Sequence, residues 1–340
     1  MHSDAEGARV GSVTVAAVIP LYNGAPFIRE ALESVIRQTV PADEIIVVDD
    51  GSTDDGLGVA RAVAAEHPRA PIRFAEKPNG GQSSARNLGV ALASSSHVAF
   101  LDQDDVWYPD HLAILREPFE TAGPRGLGLA YGNLDRIDRS GRMVMRAMLD
   151  ALPQRHPKTS LAALLRDDLY IVPAASLVSV AVFRALGGFD ERLIGYEDDD
   201  LFLRLFCAGH EMVFVDRAVT RWRVHASSTT HSPVMARSRM IYWEKLRATF
   251  PDDPVVGERW VSELIAPRFF RIAFQELRDA ARQGRPEIAR RAFADMMRIG
   301  PHLRRHRRRR FNAVAPLARA LLASGRDRLA YALIKAVRPV

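Results

Sequence analysis

The chain has 340 residues, 47% of them hydrophobic, with a formal net charge of +6. That length can bury one large domain and a smaller appendage, and a single cysteine, Cys207, excludes an internal disulfide framework and a cysteine-ligated zinc site. The charge is uneven: residues 1–232 carry a net −8 and residues 233–340 a net +14, which places a domain boundary near Ser232-Pro233.

The opening residues, MHSDAEGARVGS, have no apolar core and do not read as a signal peptide. The first strand expected is Val13–Ile19, stopped by Pro20. Apolar residues at helical spacing then mark a helix over Phe27–Gln38. Glu44–Val48 reads as a strand, Asp54–Glu66 as a helix, Ile72–Ala75 as a strand, Gln82–Ala93 as a helix and Ser96–Leu101 as a strand. This alternation predicts a mainly parallel sheet with helices on both faces. Ligands of such sheets bind beyond the carboxyl ends of the strands.

A helix follows over Asp110–Thr121, then strands at Leu127–Asn133 and Arg142–Met145 around the turn Arg139-Ser140-Gly141. An apolar stretch, Leu177–Arg184, leads into Gly187-Gly188. Glu197–Ala208 reads as a helix, and Met212–Val215 and Val219–Val224 as short strands. From Val234 onward the pattern is helical throughout. The longest uncharged apolar stretch, Leu169–Phe183, contains Pro173 and is shorter than the roughly 20 residues of a spanning helix. A soluble or peripheral protein is expected, and the lack of disulfides points to the cytoplasm.

Three acidic groups follow apolar runs: Asp49-Asp50, then Asp102, Asp104 and Asp105 in FLDQDD, then Glu197, Asp198, Asp199 and Asp200. Each group alone reads equally as part of a site or as ordinary acids, solvated in a loop or suited to a helix N-terminus. Together, at the ends of strands of one sheet, they would repel unless a cation relieves them. On an extended segment Asp102 and Asp104 point to one side. Oxygen ligands of that kind select Mg²⁺ or Mn²⁺, which binds through one or two carboxylates plus substrate phosphates. A diphosphate-bearing substrate follows.

Gly51 and the residues after it supply an unusual backbone angle and a helix cap, and Asp50 could accept from a base or ribose. Arg86, on the second turn of its helix, is placed to reach a phosphate or a carboxylate, though a surface ion pair accounts for it equally. No Walker A sequence and no G-x-G-x-x-G after a strand is present, which removes support for ATPase and Rossmann dehydrogenase readings.

VIPLYNG (18–24), VVDDGSTD (47–54), NGGQSSARNLG (79–89), FLDQDD (100–105), GGFDERL (187–193) and EDDDLFLRL (197–205) together resemble the family 2 glycosyltransferases of the GT-A fold. The resemblance covers residues 13 to about 228 and implies a catalytic domain over 1–232. It implies an inverting transferase that moves a sugar from a UDP-, GDP- or dTDP-linked donor to a carbohydrate or lipid-linked acceptor. Matched motif to motif, Pro20 and Tyr22 lie against the base, Asp50 contacts base or ribose, and Arg86 lines the nucleotide side. Asp102 and Asp104 form the D-x-D, with Asp104 touching the metal and Asp102 helping. Asp198 matches the general base, although an acid at Asp199, where many relatives carry an aromatic, leaves the choice within 197–200 open. His225 resembles the histidine of an R-x-H-x-x-S element, where it touches diphosphate or metal or is structural. Gly187-Gly188-Phe189-Asp190 matches the acceptor-side floor, with Phe189 as plain core the competing reading. Trp107 is expected to pack beneath the D-x-D loop.

Residues 233–340 lie outside that resemblance. Arg304, Arg305 and Arg307–Arg310 precede apolar residues at helical spacing from Phe311 to Leu322. Such a basic amphipathic helix either meets an anionic membrane at its inner face or docks in a bundle with its arginines solvated. No aromatic-rich motif accompanies it, so nucleic acid is not an expected partner. The other classes open to the chain are a non-catalytic scaffold and a sugar nucleotidyltransferase. Leu21-Tyr22-Asn23-Gly24 lacks the glycine-rich, basic loop of the latter.

Overall fold

The computed structural model describes residues 13–121, 126–225 and 233–337. The first twelve residues, Ser232 and the serines after His225 in the R-x-H-x-x-S element lie outside the described residues. The chain forms two compact units, with boundaries at Thr159/Ser160, Asp168/Leu169 and Met235/Ala236. The second unit thus draws in residues 160–168, a segment that no shift in composition marks.

The first unit begins β1 (Val15–Leu21), α1 (Ile28–Ile36), β2 (Glu44–Asp49), α2 (Gly56–Glu66), β3 (Ile72–Glu76), α3 (Gln82–Leu92) and β4 (His97–Phe100). It continues with β5 (Val106–Trp107), α4 (His111–Thr121), β6 (Leu127–Ile137) and β7 (Met143–Met145). After α5 (Leu161–Arg166), which belongs to the second unit, come β8 (Ser176–Ser179), α6 (Val180–Ala185), α7 (Glu197–Cys207) and β9 (Glu211–Arg223). The strands make one sheet in the order β3-β2-β1-β4-β8-β6-β9-β5, with β7 on β6. The longest ladders, β1–β2 and β6–β9, are parallel; β8 runs antiparallel to both its neighbours.

Every residue of β1 is buried, so both faces of the sheet are covered. Val15, Ala17, Ile19 and Leu21 belong to the core cluster that holds Ile28, Ala31 and Leu32 of α1 and Ala60 and Val63 of α2. On the opposite face Val18 meets α3 so closely that a β-carbon on Gly89 would lie 2.3 Å from its Cγ1. The alternation of side chains along a strand explains the division.

Two expectations need correction, and one stretch left unassigned takes a definite form. Pro20 does not stop β1, which runs on to Leu21. The β1–β4 ladder ends at Val18, paired with Phe100, so Pro20 deprives that ladder of nothing. The stretch Leu177–Arg184 splits between β8 and α6, and the hydroxyl of Ser179 accepts from the Val182 amide at the new helix start. Met212–Val215 and Val219–Val224 are parts of one strand, β9. Its register to β6 jumps from Val215 opposite Gly132 to Ala218 opposite Asn133, so polar Asp216 and Arg217 form a bulge.

The second unit is helical: α5, α8 (Pro233–Thr249), a π turn (Val261–Ile265), α9 (Ala266–Gln283), α10 (Pro286–Ile299), α11 (Arg305–Ala323) and α12 (Asp327–Ala336). Phe311 of α11 sets its ring 5.0 Å from Phe270 and edge-on to it. Phe311, Ala315, Ala318 and Leu322 are buried, so the apolar face of α11 is already occupied inside this bundle. Among the described residues no helix is long and apolar enough to cross a membrane.

Candidate active site

The chain leaves β1 toward β2 and β3, then returns to place β4 on the other side of β1. At this reversal the loops after β1 and β4 diverge from adjacent strand ends, which opens a crevice. Gln103 spans it. Its side-chain oxygen accepts from the Tyr22 amide at 2.7 Å, and its amide donates to the Tyr22 carbonyl at 2.9 Å. Tyr22 itself presents an exposed ring, and Pro20 sits buried in β1 just before it. Asn23 fastens the same loop to the next, accepting from the Thr53 amide at 2.8 Å and donating its own amide to Ser52. Asp54 completes the join by accepting from the Ala25 and Gly56 amides.

Asp50, at the end of β2, is buried and fully engaged. Its carboxylate accepts from Lys77 Nζ at 2.7 Å and from the amides of Gly80 and Gly81 at 2.9 and 2.7 Å. Gly81 adopts φ 88°, where a side chain would be strained, and leads directly into α3. Asp50 therefore shapes the 77–81 turn.

Arg86 lies at the centre of the site and is 1% exposed. One guanidinium nitrogen donates to Asp102, and the other to Glu197 at 2.9 Å. The same group lies over the Phe189 ring, 5.5 Å from its centroid. The two carboxylates outweigh the cost of burial and raise the Arg86 pKa, so the cation is permanent. Of the two readings open from sequence, Arg86 reaches carboxylates, and it does so in the interior.

Residues 102–105 form a turn, with the Asp105 amide donating to the Asp102 carbonyl at 3.0 Å. The alternation rule for extended chain thus does not apply to D-Q-D. The carboxylates are nevertheless neighbours: burial and then the charge of Asp102 raise the pKa of Asp104. Asp104 is bonded to His225 Nε2 at 2.8 Å, and the imidazole stacks on Phe27 with ring centroids 5.1 Å apart. Asp105 is buried and accepts from the Arg223 amide, but its Oδ2 has no hydrogen-bond partner. Burial and the charges of Asp104 and Asp102 push its pKa well up.

At the start of α7 the four acids have different fates. Glu197 accepts from Gln82, Arg86 and the Gly195 amide. Asp199 accepts from the Leu169 amide at 3.1 Å, and Asp200 from Arg204 at 2.9 Å. All three are buried. Asp198 alone is part-exposed, and its carboxylate accepts from the adjacent Asp199 amide. Loss of water, then Glu197 and Asp199, pushes its pKa well above that of an ordinary aspartate.

The donor set suits a hard divalent cation. Asp102 and Asp104 offer oxygens from one turn, and Asp105 beside them keeps a buried oxygen that no donor reaches, so three acids crowd one turn where a cation would relieve them. Among the described residues no group of three or more His, Cys, Asp or Glu side chains is arranged to enclose a metal. A cation that takes one or two carboxylates and completes its shell with phosphate and water needs no such enclosure.

The structure also places residues that the sequence left without a role. Gln103 and Lys77 act through backbone geometry and leave no periodic signal. Arg223 donates to the Asp104 carbonyl at 2.7 Å and to Glu30 at 2.6 Å, bracing the turn from below. It is the arginine of the R-x-H element, which was the available clue. Phe189 is core, packed against Phe100 and Phe183. Trp107 is buried against His111, and its indole donates to the Ala174 carbonyl.

Residues 16–186 match the family described as Glycosyl transferase family 2. An uncharacterized glycosyltransferase of Rickettsia prowazekii is 30% identical over 223 residues, 65% of this chain and 67% of that protein. Another, of Rickettsia bellii, is 32% identical over 56% of this chain, but the match spans only 27% of its length. The S. aureus TarS fragment 1–349 in complex with UDP-GlcNAc superimposes with a TM-score of 0.63 at 16% identity, covering 96% of this chain and 92% of that one. Mannosyltransferase PcManGT from Pyrobaculum calidifontis, in complex with GDP-Man and Mn²⁺, gives 0.56 at 18% identity, covering 97% and 86%. These structural likenesses establish the GT-A-type fold.

Proposed function

The chain belongs to glycosyl transferase family 2, and from that premise we propose that it is an inverting transferase that moves a sugar from a nucleotide-diphosphate sugar to an acceptor hydroxyl. The observation that carries the reading is the separation of roles among the acids. Glu197, Asp199 and Asp200 are buried and bonded, whereas Asp198 is part-exposed with a raised pKa.

In this reading the nucleotide lies across the loops of Tyr22 and Asp50, and its diphosphate faces Asp102 and Asp104. A divalent cation, Mg²⁺ or Mn²⁺, supplies positive charge to the leaving diphosphate when bound there. The structural neighbour in complex with GDP-Man and Mn²⁺ supports the choice of a divalent cation. His225 orients the Asp104 carboxylate through their hydrogen bond. Arg86 holds Asp102 on one side and Glu197 on the other, which fixes α7 and with it Asp198.

Asp198 takes the proton of the acceptor hydroxyl as its oxygen attacks the anomeric carbon. The bond from that carbon to the diphosphate oxygen breaks on the opposite face, which inverts the centre. The nucleoside diphosphate leaves with the electron pair, and Asp198 returns its proton to solvent. A raised pKa makes Asp198 a better base than an ordinary carboxylate once it is ionised. Cell-surface polysaccharide or glycolipid synthesis is the setting we propose for the acceptor.

The test is a screen of UDP-, GDP- and dTDP-sugars for nucleoside diphosphate release, each with Mn²⁺, Mg²⁺ or EDTA. Metal-dependent release from at least one donor is expected, and its loss in Asp104→Ala. Absence of metal-dependent donor binding across the panel by calorimetry would sink the proposal.

A further inference from the structure

The second unit contains an open cleft of about 450 Å³, lined by Arg247, Arg259, Arg304, Arg305 and Arg308, with Asp252 as its one acid. Most of these charges are accounted for. Asp252 accepts from the Val261 and Ser262 amides at 2.7 and 3.1 Å. Glu244 pairs with Arg247 at 2.6 Å, and Glu263 pairs with Arg304 and, at 3.8 Å, with Arg259. Arg305 and Arg308 are left without a carboxylate partner among the described residues. Arg308 makes a bond to the Pro301 carbonyl at 3.2 Å, and both arginines are exposed.

These two residues stand three apart on the first turn of α11, so they share a face. The helix opens without a side-chain cap: Arg304 at its N-cap makes no such bond. Unpaired backbone N–H groups of that first turn therefore add positive potential to the same place.

We propose that this cleft is a phosphoryl-binding site in which Arg305 and Arg308 grip a pyrophosphate or phosphomonoester group. Two guanidiniums without a carboxylate partner match a dianion, and planar forked donors suit its oxygens. The volume lies within the range of ligand-sized pockets, which leaves room for a group larger than bare phosphate. A soluble phosphate ester and a phosphorylated lipid headgroup present the same chemistry.

Calorimetric titration of the full chain with inorganic pyrophosphate, at low salt and in EDTA, tests the site without a divalent cation near Asp104. Saturable binding is expected. It should weaken by about tenfold or more in Arg305→Gln/Arg308→Gln, two charge-assisted bonds being removed, and persist in Arg319→Gln on the same helix. Unchanged circular dichroism shows that the double variant is folded. No saturable binding by the wild type overturns the proposal, as does equal binding by the double variant or an equal loss in the Arg319 control. Sedimentation with phosphatidate-containing vesicles then assigns the source. Co-sedimentation lost in the double variant identifies a lipid headgroup. Pyrophosphate binding without vesicle binding identifies a soluble ester, and sedimentation of both proteins rejects the lipid.

Discussion

Arg86 donates to Glu197 at 2.9 Å and through that bond ties the second turn of α3 to the first turn of α7. The Asp102 carboxylate meets the other side of the same guanidinium, so one buried cation joins three segments of the site. Replacing it with methionine would leave Glu197 buried and unpaired against its like-charged neighbours. Arg86→Met should lower stability by about 3–5 kcal/mol, the usual cost of breaking a buried pair from one side. Urea denaturation measures it, and a loss below about 1 kcal/mol, typical of an exposed pair, would contradict the assignment of Arg86 as a structural centre.

Asp198→Asn removes the proposed base while leaving the donor loops untouched. Donor binding by calorimetry should match wild type, and sugar transfer to an acceptor should fall by about 10² or more. Normal transfer by this variant would move the base role elsewhere in 197–200.

A raised pKa at Asp198 also sets the sign of the pH response. The base form appears only as pH climbs through that pKa, later than for an ordinary carboxylate. The transfer rate at saturating donor is therefore expected to rise with pH above the usual carboxylate range and then level off. A rate already flat from the acid side of that range would show that Asp198 titrates normally or is not the base.

Gln103→Ala removes both bonds that hold the Tyr22 backbone. These bonds are exposed, so stability should change by less than about 1 kcal/mol. The donor KM should rise several-fold with little change in kcat, because in the proposed reading the loop touches the nucleotide rather than the reacting carbon. Steady-state kinetics distinguish this from a loss of kcat, which would place Gln103 in the chemistry.

Two helix glycines should respond oppositely to alanine. At Gly89 the new methyl would lie 2.3 Å from Val18 Cγ1 in a packed sheet, a conflict costing about 1–3 kcal/mol. At Gly58 the atom in the way is the far end of the exposed Asp55 side chain, which can move. There the gain in helix propensity, up to about 1 kcal/mol, should prevail. Thermal melting of the pair compares the two directly.

The alternation of apolar runs and helical spacings by itself determined the α/β class, because burial on both sheet faces makes β1, β2 and β4 near-continuous apolar runs. It also located the acids, since strand ends carry the loops. Sequence could not separate the roles of neighbouring carboxylates. Glu197 and Asp198 are adjacent and chemically alike, and only the fold decided that Glu197 would face Arg86 from a residue 111 positions away while Asp198 stayed part-exposed. The same holds for the turn at 102–105, for Gln103 across the crevice and for the continuity of β9 through its bulge. Each depends on which segment lies opposite, and that is settled by long-range packing rather than by any local preference of the chain.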